Sequence, residues 1–288
     1  MERRDFAIAK GEKMCYNLDG YTKFRHTGYM IMDKRVILIS IDGMRPDGMQ
    51  SCGNSYVKEL ERLCTYSYGA KAVMPSVTFP CHYSMAHSVT PDRHGILTNT
   101  YLPEVRPVKG LFERIKECGG ASAMYYTWEE LRDLARPGSL KYSTYIHVCA
   151  KESSDTVITD EAIRSVKENK PDFAFLYMGE TDEKGGHAKG WMSERYLEIV
   201  GIAIENVKRV IEELGDEYSV IIMADHGGHG RSHGSDCVED MTIPLFFYGP
   251  DFEGGRIVEG LSLLDIAPTV TAVMGIAPDG EWEGHSII

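Results

Sequence analysis

Residues 36–47 read VILISIDGMRPD. Val36 to Ile41 is almost wholly aliphatic and β-branched, as in a strand covered on both faces. The run stops at Asp42-Gly43, a dipeptide that turns a chain. Two later stretches share this build: FAFLYMGETDEKGGH (173–187) and VIIMADHGGHG (220–230). Each passes from an apolar run straight into charged, glycine-rich chain. Such strands belong to the middle of a parallel sheet, and ligands gather beyond their carboxyl ends. Asp42, Asp182 and Asp225 should therefore converge on one rim.

Outside these three runs, short β-rich segments alternate with helical patterns along most of the chain. This predicts βαβ units and a three-layer α/β sandwich, with a mostly parallel central sheet and helices on both faces. Strands are expected at 35–41, 69–74, 122–127, 172–178, 219–224 and 244–249. Helices are expected at 55–64, 109–118, 156–169, 192–214 and 263–276. Residues 1–34 lack the pattern and are expected as a leader segment. Residues 35–288 are expected as a single domain.

Composition narrows the function. Hydrophobic residues make up 43% of the 288 and charged residues 26%, the proportions of a soluble globular protein. No apolar run is long enough to span a bilayer, and the N-terminus MERRDFAIAKGEKMCYN lacks the apolar stretch of a secretory signal. Seven cysteines, an odd number with no C-x-x-C pair, argue for reduced thiols and a cytoplasmic protein. A net charge of −12 disfavours long nucleic acids as partners. It leaves room for a small phosphorylated substrate if some carboxylates hold cations.

The charged segments carry the chemistry. ADHGGHGRSHG (224–234) brings Asp225, His226, His229 and His233 within nine residues. That set suits a divalent ion with nitrogen and oxygen ligands, zinc or manganese. TDEKGGH adds Asp182 and His187, and SIDGMRPD adds Asp42. SVTFPCHY (76–83) sets Thr78 just before Phe-Pro, at a helix entry.

Taken in order, ILISIDGMRPD, MPSVTFPCHYSMAHSVTPDRHGILTN, TDEKGGH and ADHGGHG…HG resemble the alkaline phosphatase superfamily. Within it they are most similar to the type I phosphodiesterase/nucleotide pyrophosphatase family. The resemblance implies an alkaline phosphatase-like fold, in which 35–288 is catalytic and carries a small cap at roughly 100–150. It also implies a hydrolase with two divalent metal ions, zinc first and manganese second. The substrate it implies is a small phosphate ester such as a nucleotide. Asp42, Asp225 and His226 would ligate one metal together with the oxygen of Thr78, and Asp182 and His187 the other. Thr78 matches the nucleophile that becomes phosphorylated, and Asn99 a donor to a phosphoryl oxygen. His229, His233 and His285 compete as the remaining ligand. His233 is expected, because it shortly precedes the strand TIPLFFYGP, as in the phosphomutases and alkaline phosphatases.

Two departures stand out. Asp182 and His187 are five residues apart where the family usually shows four, and Cys81 replaces a frequent asparagine. A sulfatase is set aside, since TFPCHY has no arginine at the spacing that chemistry needs. Cys81 and His82 are adjacent on a helix and do not face each other as nucleophile and base would. Tyr125, Tyr126 and Trp128 are expected in the core, and Phe79 is a candidate to pack on substrate. A phosphomonoesterase or phosphonate monoester hydrolase of the same superfamily stays open. So does a metal-binding sensor module, although Thr78 and Asn99 both argue for an enzyme.

Overall fold

The computed structural model describes residues 34–288, Met32, and two-residue strands β1 (Tyr16–Asn17) and β2 (Gly20–Tyr21), which pair antiparallel. The rest of the expected leader, 1–34, lies outside the described residues. The central sheet is built from β3 (Arg35–Ile41), β4 (Thr65–Lys71), β5 (Ser122–Tyr126), β6 (Leu140–Tyr145), β7 (Phe173–Met178), β8 (Tyr218–Met223) and β9 (Thr242–Tyr248). Its order is β4-β9-β8-β3-β7-β5-β6, and β9 alone runs against the others. The fold is thus the expected α/β sandwich.

β3, β7 and β8 sit at the centre because their side chains are buried on both faces. Each large aliphatic there contributes about 1.5–3 kcal/mol on leaving water. Ile41 pairs with Met178, and Ser40 with Met223, so the carboxyl ends of the three strands are level. That register delivers the following residues to one edge.

The helices are α1 (Pro46–Ser51), α2 (Tyr56–Leu63), α3 (Thr78–His87), α4 (Pro91–His94), α5 (Leu111–Glu117), α6 (Ser154–Asn169), α7 (Glu194–Leu214), α8 (Val238–Met241) and α9 (Ile266–Val273). α6 and α7, with α1 and α2, cover one face; α3, α5 and α9 cover the other. α7 starts where the Ser193 hydroxyl accepts the Tyr196 N–H, and it buries Tyr196, Ile199, Ala203, Val207 and Val210 along one stripe. No described helix is long and apolar enough to cross a membrane.

Two strands differ from expectation. β4 starts four residues early, on TYSY, whose side chains alternate between buried and half-buried rather than forming an apolar run. β6, LKYSTY, lies outside the expected strands: it is an edge strand with exposed and half-exposed positions alternating. Of the stretch 100–150, expected as a small cap, α5, β5 and β6 belong to the central layers. β5 is buried along its whole length.

Candidate active site

The three expected carboxylates meet beyond the ends of β3, β7 and β8. Asp42 directly follows β3. Asp225 and His226 follow β8 after Ala224. Asp182 lies in a single π-helical turn, Thr181–His187, just past β7. That turn accounts for the five-residue interval, because i→i+5 hydrogen bonding stacks residues five apart on one face. Accordingly, His187 Nε2 lies 3.4 Å from Asp182 Oδ2.

Three imidazoles are oriented in the same way. Nδ1–H of His226 donates to Gly227 O (2.7 Å), that of His187 to Arg231 O (3.0 Å) and that of His233 to Ser76 O (2.9 Å). Carbonyl oxygens only accept, so Nδ1 carries the hydrogen and, in the neutral imidazole that ligates metals, Nε2 the lone pair. These lone pairs point at carboxylates. His226 Nε2 is 3.3 Å from both Asp42 Oδ1 and Asp225 Oδ2, and His233 Nε2 is 3.9 Å from Asp182 Oδ1. The His226 and His233 rings stack at 3.9 Å.

Thr78, the first residue of α3, projects its hydroxyl at this cluster, 3.1 Å from His226 Nε2. Asn99 accepts the Phe79 N–H on its Oδ1 at 3.0 Å. The atom facing an N–H must be the oxygen, which leaves the amide Nδ2 out of that contact, and Asn99 itself lines a cavity. This small cavity, about 120 Å³, is lined by Asp42, Thr78, Asn99, Asp182, His187 and His233 among others. A larger cleft of about 810 Å³ runs along β4 and Ile257–Ser262, but none of the converging groups reaches it. The chemistry belongs to the smaller one.

Burial and mutual repulsion dominate the electrostatics. Burial, then the charge of Asp225, pushes the Asp42 carboxyl well above the usual carboxylate range. Burial, then Asp42, does the same to Asp182. Burial pushes Asp225 up to about 7, and burial followed by His226 takes His233 down to about 3. Asp42 Oδ1, Asp182 Oδ1 and Asp225 Oδ2 are buried without a hydrogen-bond partner. Orphaned anionic oxygens facing imidazole lone pairs repel one another unless a cation lies between them. The residues therefore fit divalent cations. Two ligating groups emerge, Asp42/Asp225/His226 and Asp182/His226/His233, and His187 adjoins the second.

Of the competing histidines, only His233 joins. His229 turns its Nδ1 to Asp240, and His285 is exposed on the C-terminal segment, its N–H donating to Asp265. Phe79 is fully buried and does not face the cavity as a substrate platform. Tyr125 and Tyr126 are core residues, but Trp128 lines the cavity. The Cys81 thiol is buried against the carbonyls of Val73 and Pro75, and burial pushes it well above its ordinary range.

Sequence reasoning missed several supports. Tyr177, a lone polar residue near the end of an apolar strand, donates its hydroxyl to Asp42 Oδ2. His82, which burial takes down to about 3, donates to Thr78 O at 2.8 Å and accepts from Ser40 on its other nitrogen at 2.9 Å. Buried Asp155 accepts the N–H groups of Gly179 and Glu180, both at 2.9 Å, and so anchors the entry to the π-helical turn. Trp191 donates to Gly43 O and lies flat on the glycines: a Cβ on Gly228 would stand 2.2 Å from the ring.

The fold is that of the alkaline phosphatase-like enzymes, and the chain is similar in sequence to families of that superfamily. Residues 36–117 match the family model described as type I phosphodiesterase/nucleotide pyrophosphatase, and residues 138–278 the one described as metalloenzyme superfamily. A 2,3-bisphosphoglycerate-independent phosphoglycerate mutase of Clostridioides difficile is 29% identical over 143 residues, 48% of this chain and 28% of that protein. Ectonucleotide pyrophosphatase/phosphodiesterase family member 1 of Rattus norvegicus is 25% identical over 222 residues, 66% of this chain and 24% of that protein. The matches thus span about a quarter of those relatives' own lengths. Among solved structures, an inactive threonine-to-alanine variant of murine ectonucleotide pyrophosphatase/phosphodiesterase 5, in complex with AMP, superimposes with a TM-score of 0.74. It shares 13% identity, over 88% of this chain and 97% of that one.

Proposed function

We propose that the protein is a two-metal phosphodiesterase of the nucleotide pyrophosphatase type, acting on a small ester such as a nucleotide through phosphorylated Thr78. The observation that carries this reading is the Thr78 hydroxyl, set beside orphaned carboxylate oxygens and imidazole lone pairs at the mouth of a helix. Asp42, Asp225 and His226 would hold one ion, and Asp182, His187 and His233 the other. The nitrogen and oxygen donors favour zinc, with manganese second. Bound dications would supply Lewis-acid activation of the hydroxyl and neutralise developing phosphoryl charge.

The chain's own groups do the rest. Thr78 Oγ forms a bond to phosphorus as the ester oxygen leaves with its bonding pair, and the hydroxyl proton ends on the leaving group or solvent. Water then cleaves the phosphothreonine and restores the hydroxyl. Asn99 Nδ2 donates to a nonbridging oxygen, an oxyanion-hole role. The first turn of α3 adds its positive dipole end but few free donors, since the Phe79 N–H is held by Asn99 and Pro80 has none. Tyr177 holds Asp42 in place, and His82 holds the Thr78 carbonyl.

Among the described residues, no lysine or arginine lines the cavity, whereas Glu183 does. A dianionic monoester would lack a cationic side chain for its extra oxygen, so diesters are favoured. The six described cysteines are all free thiols, which supports a reducing, cytoplasmic setting.

Matched bis- and mono-p-nitrophenyl phosphates test the reading on zinc- and manganese-loaded protein. Diester turnover should lead in kcat/KM, and Thr78→Ala should abolish it while metal content and fold persist. Thr78→Ser should keep part of the activity. A monoester preference of about tenfold or more defeats the diester assignment, and Thr78→Ala activity within about tenfold of wild type defeats the covalent step.

A further inference from the structure

A second donor cluster lies outside the active site, on the segment between His226 and β9. His229, Cys237 and Asp240 bring an imidazole nitrogen, a sulfur and a carboxylate oxygen within 4.8 Å of one another. Asp240 is fully buried. Its Oδ2 accepts the N–H and hydroxyl of Ser235 at 2.9 and 2.7 Å, and its Oδ1 lies 2.7 Å from His229 Nδ1. The Cys237 sulfur lies 3.6 Å from the same nitrogen. That nitrogen therefore faces an anionic oxygen and a thiol, and it carries either one proton or one lone pair. A proton serves Asp240 and leaves the sulfur a weak shared contact. A lone pair suits the thiol and repels the carboxylate. A cation satisfies all three.

We propose that His229, Cys237 and Asp240 form a further divalent-metal site of zinc-type chemistry, separate from the catalytic pair and structural in role. Nitrogen, thiolate and carboxylate donors suit zinc, with water completing the set on the half-exposed His229 side. The thiolate discriminates against magnesium, calcium and manganese. Zinc bonds of about 2.0–2.3 Å put neighbouring tetrahedral ligands about 3.3–3.8 Å apart. The nitrogen–sulfur separation already lies in that range. The nitrogen–oxygen pair opens by less than about 1 Å once the proton between them is replaced by the ion. On binding, the thiol proton goes to solvent and the imidazole proton moves from Nδ1 to Nε2 by exchange with water.

The position of the cluster explains what the ion does. Gly227 N–H donates to Asp240 O at 2.8 Å and Gly228 N–H to Glu239 O at 2.9 Å, so this cluster closes the base of the loop that presents His226 and His233. An ion here fastens that loop from behind.

Cobalt substitution of the full chain tests the site without reference to hydrolysis, so its failure and that of the phosphodiesterase reading are separable. The active-site donors are all nitrogen and oxygen, so a near-ultraviolet thiolate-to-cobalt band reports only on cysteine ligation. Wild type should show the band and bind one ion more than Cys237→Ser, which should lose it. Cys149→Ser, at an exposed cysteine elsewhere, should keep both. If Cys237→Ser does not fold, His229→Asn stands in and should weaken or abolish the band. Cobalt-saturated wild type without the band overturns the proposal, as does a band unchanged in Cys237→Ser or His229→Asn.

Discussion

Replacing Asp225 by asparagine should stabilise the metal-free protein while destroying its response to metal. Burial pushes the Asp225 carboxyl from 3.8 up to about 7 in the folded chain. The folded state therefore keeps that proton to higher pH than the unfolded state does. Its stability falls as pH rises from about 4 to about 7, and this contribution is flat above. About three units at 1.36 kcal/mol each amount to a cost of about 4 kcal/mol at pH 8. Asparagine carries no such charge. Its amide oxygen keeps the Gly43 N–H, now 3.1 Å from Asp225 Oδ1, and its NH2 is offered to Asp42 Oδ1, which has no donor. His82, His87 and His94, which burial pushes down and which act in the opposite sense below about pH 6.5, stay in both chains and cancel to first order. Asp42, which the charge of Asp225 helps to push up, is relieved of that charge in the variant, an effect of the same sign.

Thermal and urea unfolding after exhaustive chelation would read the difference. Chelated Asp225→Asn should exceed chelated wild type by up to about 4 kcal/mol at pH 8, on the order of 10 °C in Tm, and the gap should close toward pH 4. With zinc present the order should reverse, because the variant has lost a ligand. A chelated variant less stable than wild type at pH 8, or a gap independent of pH, refutes the reasoning.

Three further expectations are simpler. His233→Ala should lower bound metal from two active-site ions toward one by elemental analysis, with His285→Ala unchanged; the reverse pattern sinks the ligand assignment. Asn99→Ala should cut kcat by about 10²–10³ with a much smaller change in KM, so an equal loss in both would make Asn99 a simple binding group. Gly228→Ala drives a Cβ to 2.2 Å from the Trp191 ring and should cost roughly 1–3 kcal/mol in unfolding free energy along with metal affinity, whereas wild-type stability would show that the ring can move aside.

The centre of the fold was readable because β3, β7 and β8 are buried on both faces and so spell continuous apolar runs that end in carboxylates. β6 and the start of β4 were not, since edge strands half open to water leave only an alternation. Asp42, Asp182 and Asp225 could be placed together by strand order alone. The reason for the long Asp182–His187 interval could not, because it resides in a backbone hydrogen-bond pattern that these side chains do not announce. Asp155 shows the same limit: it reads as an ordinary helix-start acid, and only tertiary placement reveals that it accepts the backbone of the π-helical turn. Asn99 was found from its distance to Thr78 in a known pattern, yet the Phe79 N–H that orients it was invisible.

The level ends of β3, β7 and β8 carry a consequence for the order in which the molecule assembles. Thr78 and His226 are 148 residues apart along the chain, and Tyr177 and Asp42 are 135 apart. Closing a loop of that size costs about 4 kcal/mol in chain entropy, more than one side-chain contact returns. Strand pairing must meet that cost before any ligand finds its partners. The ions then cannot nucleate the fold; they arrive at a finished sheet and lock it. Their binding energy belongs to the native side of the barrier, so chelation should hasten unfolding while leaving the refolding rate nearly untouched. In kinetic terms the site is a latch: it sets how long the folded molecule lasts, not how fast it forms.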